Sequence, residues 1–431
     1  SYRTSVFIAE AAVGVQIVRQ PFDWNRIEVA PGDYDFRDYD DFVLRAATAG
    51  IRVLPVLGNP PSFRAAGYTR DDFWSPPASN AEFAAFAARL VERYGPNGTI
   101  WARHPDVPSL PIHSWQIWNE PNLPMFWNTG PDPAAYTALL RAAHQAIHAV
   151  DPQAEVVAAG LPDSGAGVGL QDFLTVMYAA GAKGAFDTMA VHPYAPDVAG
   201  SLGLVELARS TMRANGDGSP IWITEDGWPT GGPQSRYTVS EAQQAASVGD
   251  LVAQVAARRA ELGLRGVVIF RWRDAISTFD AWPLHAGLVR ADGTVKPALA
   301  AFRDAVASLD ALPASGTPAP DPPAADPPAP VTTRVAITGG ELSRFGFLRV
   351  HLYCVAGSCS GQLMAGRKLR RTCTGQRRFR LPSGASVVRV RLKGSRRQVL
   401  RCKRILVTAR TGAAAPPAVA ILPKKPVRYA R

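Results

Sequence analysis

Two glutamates are placed where a chain could perform acid–base chemistry on a bound substrate. Glu120 lies in a Trp-Asn-Glu-Pro-Asn segment (118–122) and Glu225 in a Trp-Ile-Thr-Glu-Asp segment (222–226), and each ends an apolar run. Cleaving a sugar acetal requires one carboxyl group to protonate the leaving oxygen and a second to meet the positive charge that develops at the anomeric carbon. The pair therefore predicts cleavage of a glycosidic bond, a reaction that needs no metal and no other cofactor.

Each glutamate also has a simpler interpretation, because a carboxylate at the end of a strand is usually a solvated surface group. Asp226 is the nearest alternative to Glu225. Adjacent residues of a strand face opposite sides, and Glu225 shares its side with Ile221 and Ile223. The combination of the two segments favours catalysis by Glu120 and Glu225.

The first 311 residues must supply the elements that position these side chains, and they alternate short apolar runs with amphipathic helical patterns. Seven strands are predicted, over residues 16–22, 51–57, 113–119, 155–160, 186–192, 220–225 and 266–272. Helices are predicted over residues 38–49, 81–94, 133–150, 171–180, 202–214, 240–262 and 297–309. This alternation predicts an α/β fold, and at about 300 residues it favours a (β/α)8 TIM barrel over a doubly wound sheet.

The eighth strand has no clear candidate. Residues 5–13 have the pattern of the helix that would follow a first strand, and the chain starts at Ser1 rather than at a methionine. We therefore expect a processed or trimmed chain that lacks the first barrel strand. The strands on either side of the missing one would then have unpaired edges, which predicts low stability rather than a different chemistry.

The charge divides the chain into unlike parts. Residues 331–431 contain 23 Lys and Arg but one acid, Glu341, whereas residues 1–330 contain 24 Lys and Arg against 35 acids. Between them, residues 312–330 alternate proline, alanine and aspartate without an apolar period, which is typical of a linker. The predicted organisation is a barrel (1–311), a linker (312–330), a basic β-sandwich (331–410) and a disordered basic tail (411–431).

All four cysteines lie after the linker, at Cys354, Cys359, Cys373 and Cys402. An even number in a small segment predicts two disulfides and an oxidising, secreted or cell-surface location. Pairing of Cys354 with Cys359 and of Cys373 with Cys402 is favoured among three possibilities. A zinc site is the alternative, but no Cys-x-x-Cys pair is present.

The basic segment has few aromatic residues, and all ten tryptophans precede the linker, so a sugar-stacking platform is not indicated there. Its arginines suggest adhesion to an anionic cell-surface polymer, although a solvated basic face without a ligand is an equal alternative. Nucleic acid is not expected as a partner of a disulfide-bearing exported protein. No apolar run is long enough to predict a membrane span.

Residues from about 15 to 302 resemble a retaining glycoside hydrolase of the clan that includes families 5, 39 and 42. The resemblance rests on six segments in order, at 18–24, 117–121, 191–194, 223–225, 270–272 and 287–297. It departs from family 5 at residues 57–61, where that family usually has a histidine. The resemblance implies that Glu225 is the nucleophile and Glu120 the acid/base.

The resemblance also implies roles for five further residues that would meet at the mouth of such a barrel. Asn119 would hydrogen-bond the sugar 2-hydroxyl, Arg19 and Tyr194 would hold Glu225 ionised, His192 would line the floor, and Trp272 would stack on the sugar. As ordinary interpretations, Arg19 could be a structural ion-pair partner, and His192 and Tyr194 could be core residues. Trp127, Trp228 and Trp282 are more often packing residues than sugar subsites.

Three functions are compatible with these patterns. The first is hydrolysis of β-linked, mostly neutral oligo- or polysaccharides, since the acidic barrel would repel a strongly anionic one. The second is binding by an inactive barrel, against which the intact glutamate pair argues. The third is transglycosylation with the same residues. The sugar and the linkage are not determined by the sequence.

Overall fold

The computed structural model describes residues 4–67, 74–277 and 280–310, together with seven strands between residues 335 and 423. The chain divides into two compact units. The first comprises Ser1–Glu120, Ala138–Asp163 and Lys183–Pro323, and the second comprises Pro121–Thr137, Ser164–Ala182 and Ala324–Arg431. The parallel sheet and both glutamates belong to the first unit.

Seven parallel strands form one sheet, and a short antiparallel hairpin lies between the first two of them. In chain order the strands are β1 (Ile17–Asp23), β2 (Glu28–Ala30), β3 (Asp33–Tyr34), β4 (Arg52–Gly58), β5 (Ser114–Ile117), β6 (Glu155–Pro162), β7 (Thr188–His192), β8 (Ile221–Asp226) and β9 (Leu264–Ile269). The order in the sheet is β1-β4-β5-β6-β7-β8-β9, so consecutive strands of the large sheet are neighbours throughout.

Helices precede, connect and follow these strands. They are α1 (Thr4–Ala12), α2 (Trp24–Ile27), α3 (Arg37–Thr48), α4 (Asn80–Tyr94), α5 (Thr99–Arg103), α6 (Pro133–Val150), α7 (Leu170–Ala179), α8 (Val198–Ala214), α9 (Glu241–Ala257), α10 (Arg259–Leu262) and α11 (Pro297–Asp310). Several begin at an N-cap residue that the sequence supplies. Ser79, Asp197 and Ser240 each accept a backbone N–H of the first turn of α4, α8 and α9, which satisfies a donor that the helix itself cannot pair.

The sheet is curled. Leu54, Val157, Ala190 and Trp222 form one buried cluster, although they come from β4, β6, β7 and β8, and Ile17 of β1 packs against it. Side chains of strands this far apart in the sheet order can touch only if the sheet curves towards itself. The same curvature brings Arg19 of β1 within hydrogen-bonding distance of Glu225 of β8.

The predicted parallel α/β sheet with seven strands is confirmed, and the structure shows it as part of a barrel. Each predicted strand is present within a few residues of its expected bounds, and residues 4–12 form the helix expected at the start. Strands β1 and β9 are the two ends of the sheet order, and no strand in the described part of the chain lies between them. None of the helices in the described ranges is long and apolar enough to cross a bilayer.

The C-terminal segment contains seven strands: β10 (Val335–Leu342), β11 (Phe347–Cys354), β12 (Cys359–Ala365), β13 (Gly375–Leu381), β14 (Gly384–Arg391), β15 (Arg404–Arg410) and β16 (Ala418–Pro423). They form two antiparallel sheets, ordered β10-β11-β14 and β13-β12-β15-β16. The tail expected to be disordered, 411–431, therefore contains a strand. The predicted linker, Cys373 and Cys402 lie outside the described residues, so the disulfides and the stapled sandwich stay predictions.

Candidate active site

Six of the seven residues singled out from the sequence, all but Trp272, lie together towards the carboxyl ends of the parallel strands. Arg19 lies on β1, Glu225 on β8, and His192 is the last residue of β7, while Glu120 follows the end of β5 by three residues. Tyr194 follows β7 by two residues. In a barrel of parallel strands this edge is the one that the βα loops surround, so the side chains converge although they are up to 206 positions apart.

Glu225 is held from both sides. An Arg19 Nη atom donates to Glu225 Oε1, and the Tyr194 hydroxyl donates to Oε2 over 2.7 Å. Burial raises the pKa of Glu225, but the electrostatic effects of His192 and of Arg19, with the Tyr194 hydrogen bond, outweigh burial and lower that pKa. Glu225 is therefore ionised and fixed in orientation, as a nucleophile must be.

Glu120 lies in the opposite electrostatic environment. Its Oε1 is 2.8 Å from His192 Nδ1, and the residue is only 9 % exposed. Burial raises the pKa of Glu120; the His192 hydrogen bond and charge lower it, and the nearby Glu225 carboxylate raises it, with a net upward shift. Two carboxyl groups whose pKa values are pushed apart can act as a proton donor and an ionised partner.

A chain of hydrogen bonds fixes the orientation of the His192 ring. Gln116 Oε1 accepts from Arg19 Nε (2.6 Å), so the Gln116 amide nitrogen faces Ala158 O and Thr224 Oγ1. Thr224 Oγ1 accepts from Gln116 and is also 3.0 Å from His192 Nε2. The other ring nitrogen, Nδ1, then faces Glu120 Oε1 and can donate to it. Sequence analysis missed Gln116 and Thr224, although both lie on the predicted strands.

The loop that carries Glu120 has an unusual backbone. Trp118 and Glu120 have φ angles of 73° and 42°, in the left-handed region that non-glycine residues rarely adopt. Each N–H is bonded to a neighbouring strand, from Trp118 to Leu57 O (2.8 Å) and from Glu120 to Gly160 O (3.2 Å). Backbone conformations of this kind persist where the surroundings impose them and are concentrated at functional sites.

His192 also depends on a glycine. Gly160 lies on β6 directly beside the ring, and a Cβ atom at this position would be 1.9 Å from His192 Nε2. The ring has no free space because it is fully buried between Glu120 and Thr224. Only glycine permits this approach.

We therefore expect Gly160→Ala to displace His192, to reduce stability by about 1–3 kcal/mol and to lower any turnover that depends on Glu120. Gly203→Ala is the matched control, because Gly203 lies within α8 with no neighbouring atom within 4 Å of its Cβ position in the described part of the chain. That change should be neutral or stabilise by up to about 1 kcal/mol. Urea unfolding of the two variants measures the difference, and equal stabilities would contradict the prediction.

Arg19 orients the Asn119 amide group so that its nitrogen can donate a hydrogen bond to a sugar hydroxyl. Asn119 Oδ1 accepts from an Arg19 Nη atom over 2.7 Å, which directs the amide nitrogen away from the arginine as a donor. Trp272, in contrast, lies beyond the end of β9 rather than within the predicted strand. Among the described residues, no hydrogen bond or ring contact joins Trp272 to either glutamate.

Aromatic rings surround Tyr194 instead. Trp282 and Tyr237 have ring centroids 5.1 Å and 6.1 Å from that of Tyr194, and Phe270 lies at 6.2 Å. Sequence analysis weighed Trp282 but missed Tyr237, because these loop residues have no periodic pattern that would predict their position. Trp127 and Trp228 are buried, with 3 % and 0 % exposure.

Asp226, the residue after Glu225, is fully buried. Its Oδ1 accepts the Gly227 N–H over 2.9 Å. Burial raises the pKa of Asp226 to about 8, with hydrogen bonds from Ser201 and Gly227 opposing the shift. Glu120, His192 and Glu225 each offer one ligand atom within 4.8 Å of the others, a spacing that could hold a cation, but Arg19 already neutralises Glu225.

Comparison with known proteins agrees with this arrangement. Residues 112–257 match the family model described as glycosyl hydrolase catalytic core, and this range includes both glutamates. The resemblance to the cellulase-like clan of glycoside hydrolases is confirmed. No curated protein sequence matches the chain.

Solved structures of glycoside hydrolases share the fold at low sequence identity. A family 39 glycoside hydrolase from the gut symbiont Bacteroides cellulosilyticus WH2 has a TM-score of 0.54 at 17 % identity, over 90 % of this chain and 76 % of that one. A monomeric β-xylosidase from Caulobacter crescentus CB15 has a TM-score of 0.52 at 16 % identity, over 94 % and 91 %. A glucosidase from Croceicoccus marinus has a TM-score of 0.52 at 11 % identity, over 89 % and 88 %.

Proposed function

We propose that this chain is a retaining glycoside hydrolase that cleaves β-linked, mostly neutral saccharides. The observation that carries the proposal is the pairing of Glu120 and Glu225. A carboxylate oxygen of one lies within 4.8 Å of a carboxylate oxygen of the other, and their pKa values are shifted in opposite directions. Retaining glycosidases have carboxyl groups about 5–5.5 Å apart, whereas inverting enzymes separate them by about 6.5–9.5 Å to admit a water.

In the first step, a Glu225 oxygen attacks the anomeric carbon while Glu120 gives its proton to the departing glycosidic oxygen. The bond to the leaving group breaks and a glycosyl ester of Glu225 forms. Esterification removes the negative charge beside Glu120, so the pKa of Glu120 falls. Glu120 can then take a proton from water, whose oxygen attacks the anomeric carbon and releases Glu225.

The other residues support this cycle through their positions. Arg19 and Tyr194 keep Glu225 ionised, and the His192 Nδ1 hydrogen orients Glu120. Asn119 can donate to the sugar 2-hydroxyl, an interaction that strengthens as charge develops on the ring. The similarity to a β-xylosidase supports β-linked substrates. The secreted location and the anionic-polymer partner stay predictions from the sequence.

The stereochemistry of a single turnover tests the proposal. The chain is incubated with aryl β-xyloside, β-glucoside, β-galactoside and β-mannoside, and the first sugar released is observed by proton NMR before mutarotation. We expect the β anomer to appear first. Initial release of the α anomer would contradict retention, and no turnover by a folded sample would favour a binding protein. Products lengthened by an acceptor sugar would indicate a transglycosylase.

A further inference from the structure

A second cluster of ligand-type side chains lies at the other end of the strands. His144 and His148 are four residues apart on α6 and therefore on one face of that helix, and Asp187 immediately precedes β7. His192, which contacts Glu120, is at the opposite end of β7. Five residues of extended chain correspond to about 16 Å, so the cluster is separate from the candidate active site.

The distances within the cluster suit a small cation. His148 Nε2 is 3.0 Å from Asp187 Oδ2, and His144 Nε2 is 3.5 Å from Oδ1. Metal bonds of about 2.0–2.1 Å in tetrahedral geometry place two ligand atoms about 3.3 Å apart, between the two observed values. As a hydrogen bond, in contrast, the separation of 3.5 Å is long.

Neighbouring backbone groups orient two of the three side chains. His148 Nδ1 is 3.3 Å from Pro152 O, which can only accept, so Nδ1 carries a proton. In a neutral ring, Nε2 then has its lone pair directed at Asp187 Oδ2. Two lone pairs at 3.0 Å repel each other unless a proton or a cation lies between them. Hydrogen bonding of the second ring nitrogen to a carbonyl is the usual arrangement for a metal-binding histidine.

The Asp187 carboxylate is also held in place by a backbone group. The Val156 N–H donates to Oδ2 over 2.7 Å and holds the carboxylate in place. The carboxylate is therefore fixed in orientation beside both histidines.

We propose that His144, His148 and Asp187 form a zinc-binding site at the amino ends of the barrel strands. Two imidazole nitrogens and one carboxylate oxygen are ligands that Zn²⁺ accepts. All three side chains are partly exposed, by 21 %, 25 % and 37 %, so a water can fill the fourth position. The ion would connect α6 to the start of β7 and would stabilise the fold without taking part in sugar cleavage.

Calorimetric titration of the full chain with Zn²⁺, after dialysis against a chelator, tests this site. We expect one equivalent to bind, and a zinc concentration 100-fold above Kd to raise Tm by about 5 °C. The doubly substituted His144→Ala, His148→Ala variant should weaken binding at least about 100-fold and lose the Tm shift. His104→Ala with His113→Ala, which removes two histidines outside the cluster, should bind like the unsubstituted chain.

The added metal could also bind at the cysteines or at the candidate active site. Titration with Co²⁺ in place of Zn²⁺ tests the first of these, and a Glu225 variant tests the second. Thiolate-to-metal charge-transfer absorption would place the ion on the cysteines and overturn the proposal. Loss of binding in Glu225→Gln, with His144 and His148 intact, would place it at the candidate active site with the same consequence. If the double alanine variant does not fold, His148→Gln tests the site, because glutamine can still donate a hydrogen bond but is a poor ligand.

The absence of zinc binding by the dialysed chain at neutral pH would also overturn the proposal. The cluster would then be an imidazolium–carboxylate group in which a proton takes the place of the cation. Turnover of an aryl glycoside provides an independent readout. We expect the same kcat in the double alanine variant and in the unsubstituted chain, since the cluster lies away from both glutamates.

Discussion

Glu225→Ala is expected to reduce turnover of an aryl β-glycoside by at least about 10⁴-fold, because the substitution removes the proposed nucleophile. The substitution leaves a space beside Arg19 and Tyr194 that a small anion can enter. Azide should therefore restore turnover and yield the α-glycosyl azide, with inverted configuration. Steady-state kinetics and NMR of the product measure the two effects.

Asp226→Asn is the matched control for this experiment. Asp226 is the adjacent carboxyl group, but it is fully buried, accepts a hydrogen bond from the Gly227 N–H and has a pKa raised to about 8. At pH 6 its side chain is mainly protonated and resembles asparagine in shape and charge. We expect little change in kcat at that pH. If Asp226→Asn abolished turnover and azide rescued it, while Glu225→Ala remained active, the roles of the two residues would be reversed.

Glu120→Ala is expected to give the second largest effect, and its size should depend on the leaving group. An alkyl or sugar leaving group needs a proton, so its release should slow by about 10²–10⁴-fold. A dinitrophenyl leaving group needs none, so the first step should be nearly unaffected. The glycosyl ester of Glu225 would then accumulate, because no base activates water, and a burst of dinitrophenol should precede a slow steady state.

The pH profile provides the second readout for Glu120. Its raised pKa keeps the acid protonated as the pH increases, and turnover should decline once the pH passes that pKa. Turnover should rise with pH as Glu225 ionises, and its lowered pKa places this rise on the acidic side of the pH profile. Glu120→Ala should remove the basic limb and keep the acidic one. An unchanged basic limb in this variant would assign the proton donor to another group.

Much of the fold follows from local patterns in the sequence. All seven strands of the parallel sheet and the principal helices appear where apolar runs, apolar period and turn residues predict them, since these patterns extend over only a few residues. The boundaries shift because tertiary pairing decides where a strand ends. Residues 266–272 illustrate this: β9 ends at Ile269, so Trp272 lies in a loop and not on the predicted strand.

By itself, the sequence predicted the type of chemistry and determined the strands near whose ends Glu120 and Glu225 lie, because residue types and apolar runs are local properties. Only the tertiary structure decided which groups set the two pKa values. Gln116, Thr224 and Gly160 act on His192 and Arg19 across the curled sheet, and the His144, His148 and Asp187 cluster joins a helix to a strand. Such contacts depend on distances between elements remote in the chain, which no local pattern encodes.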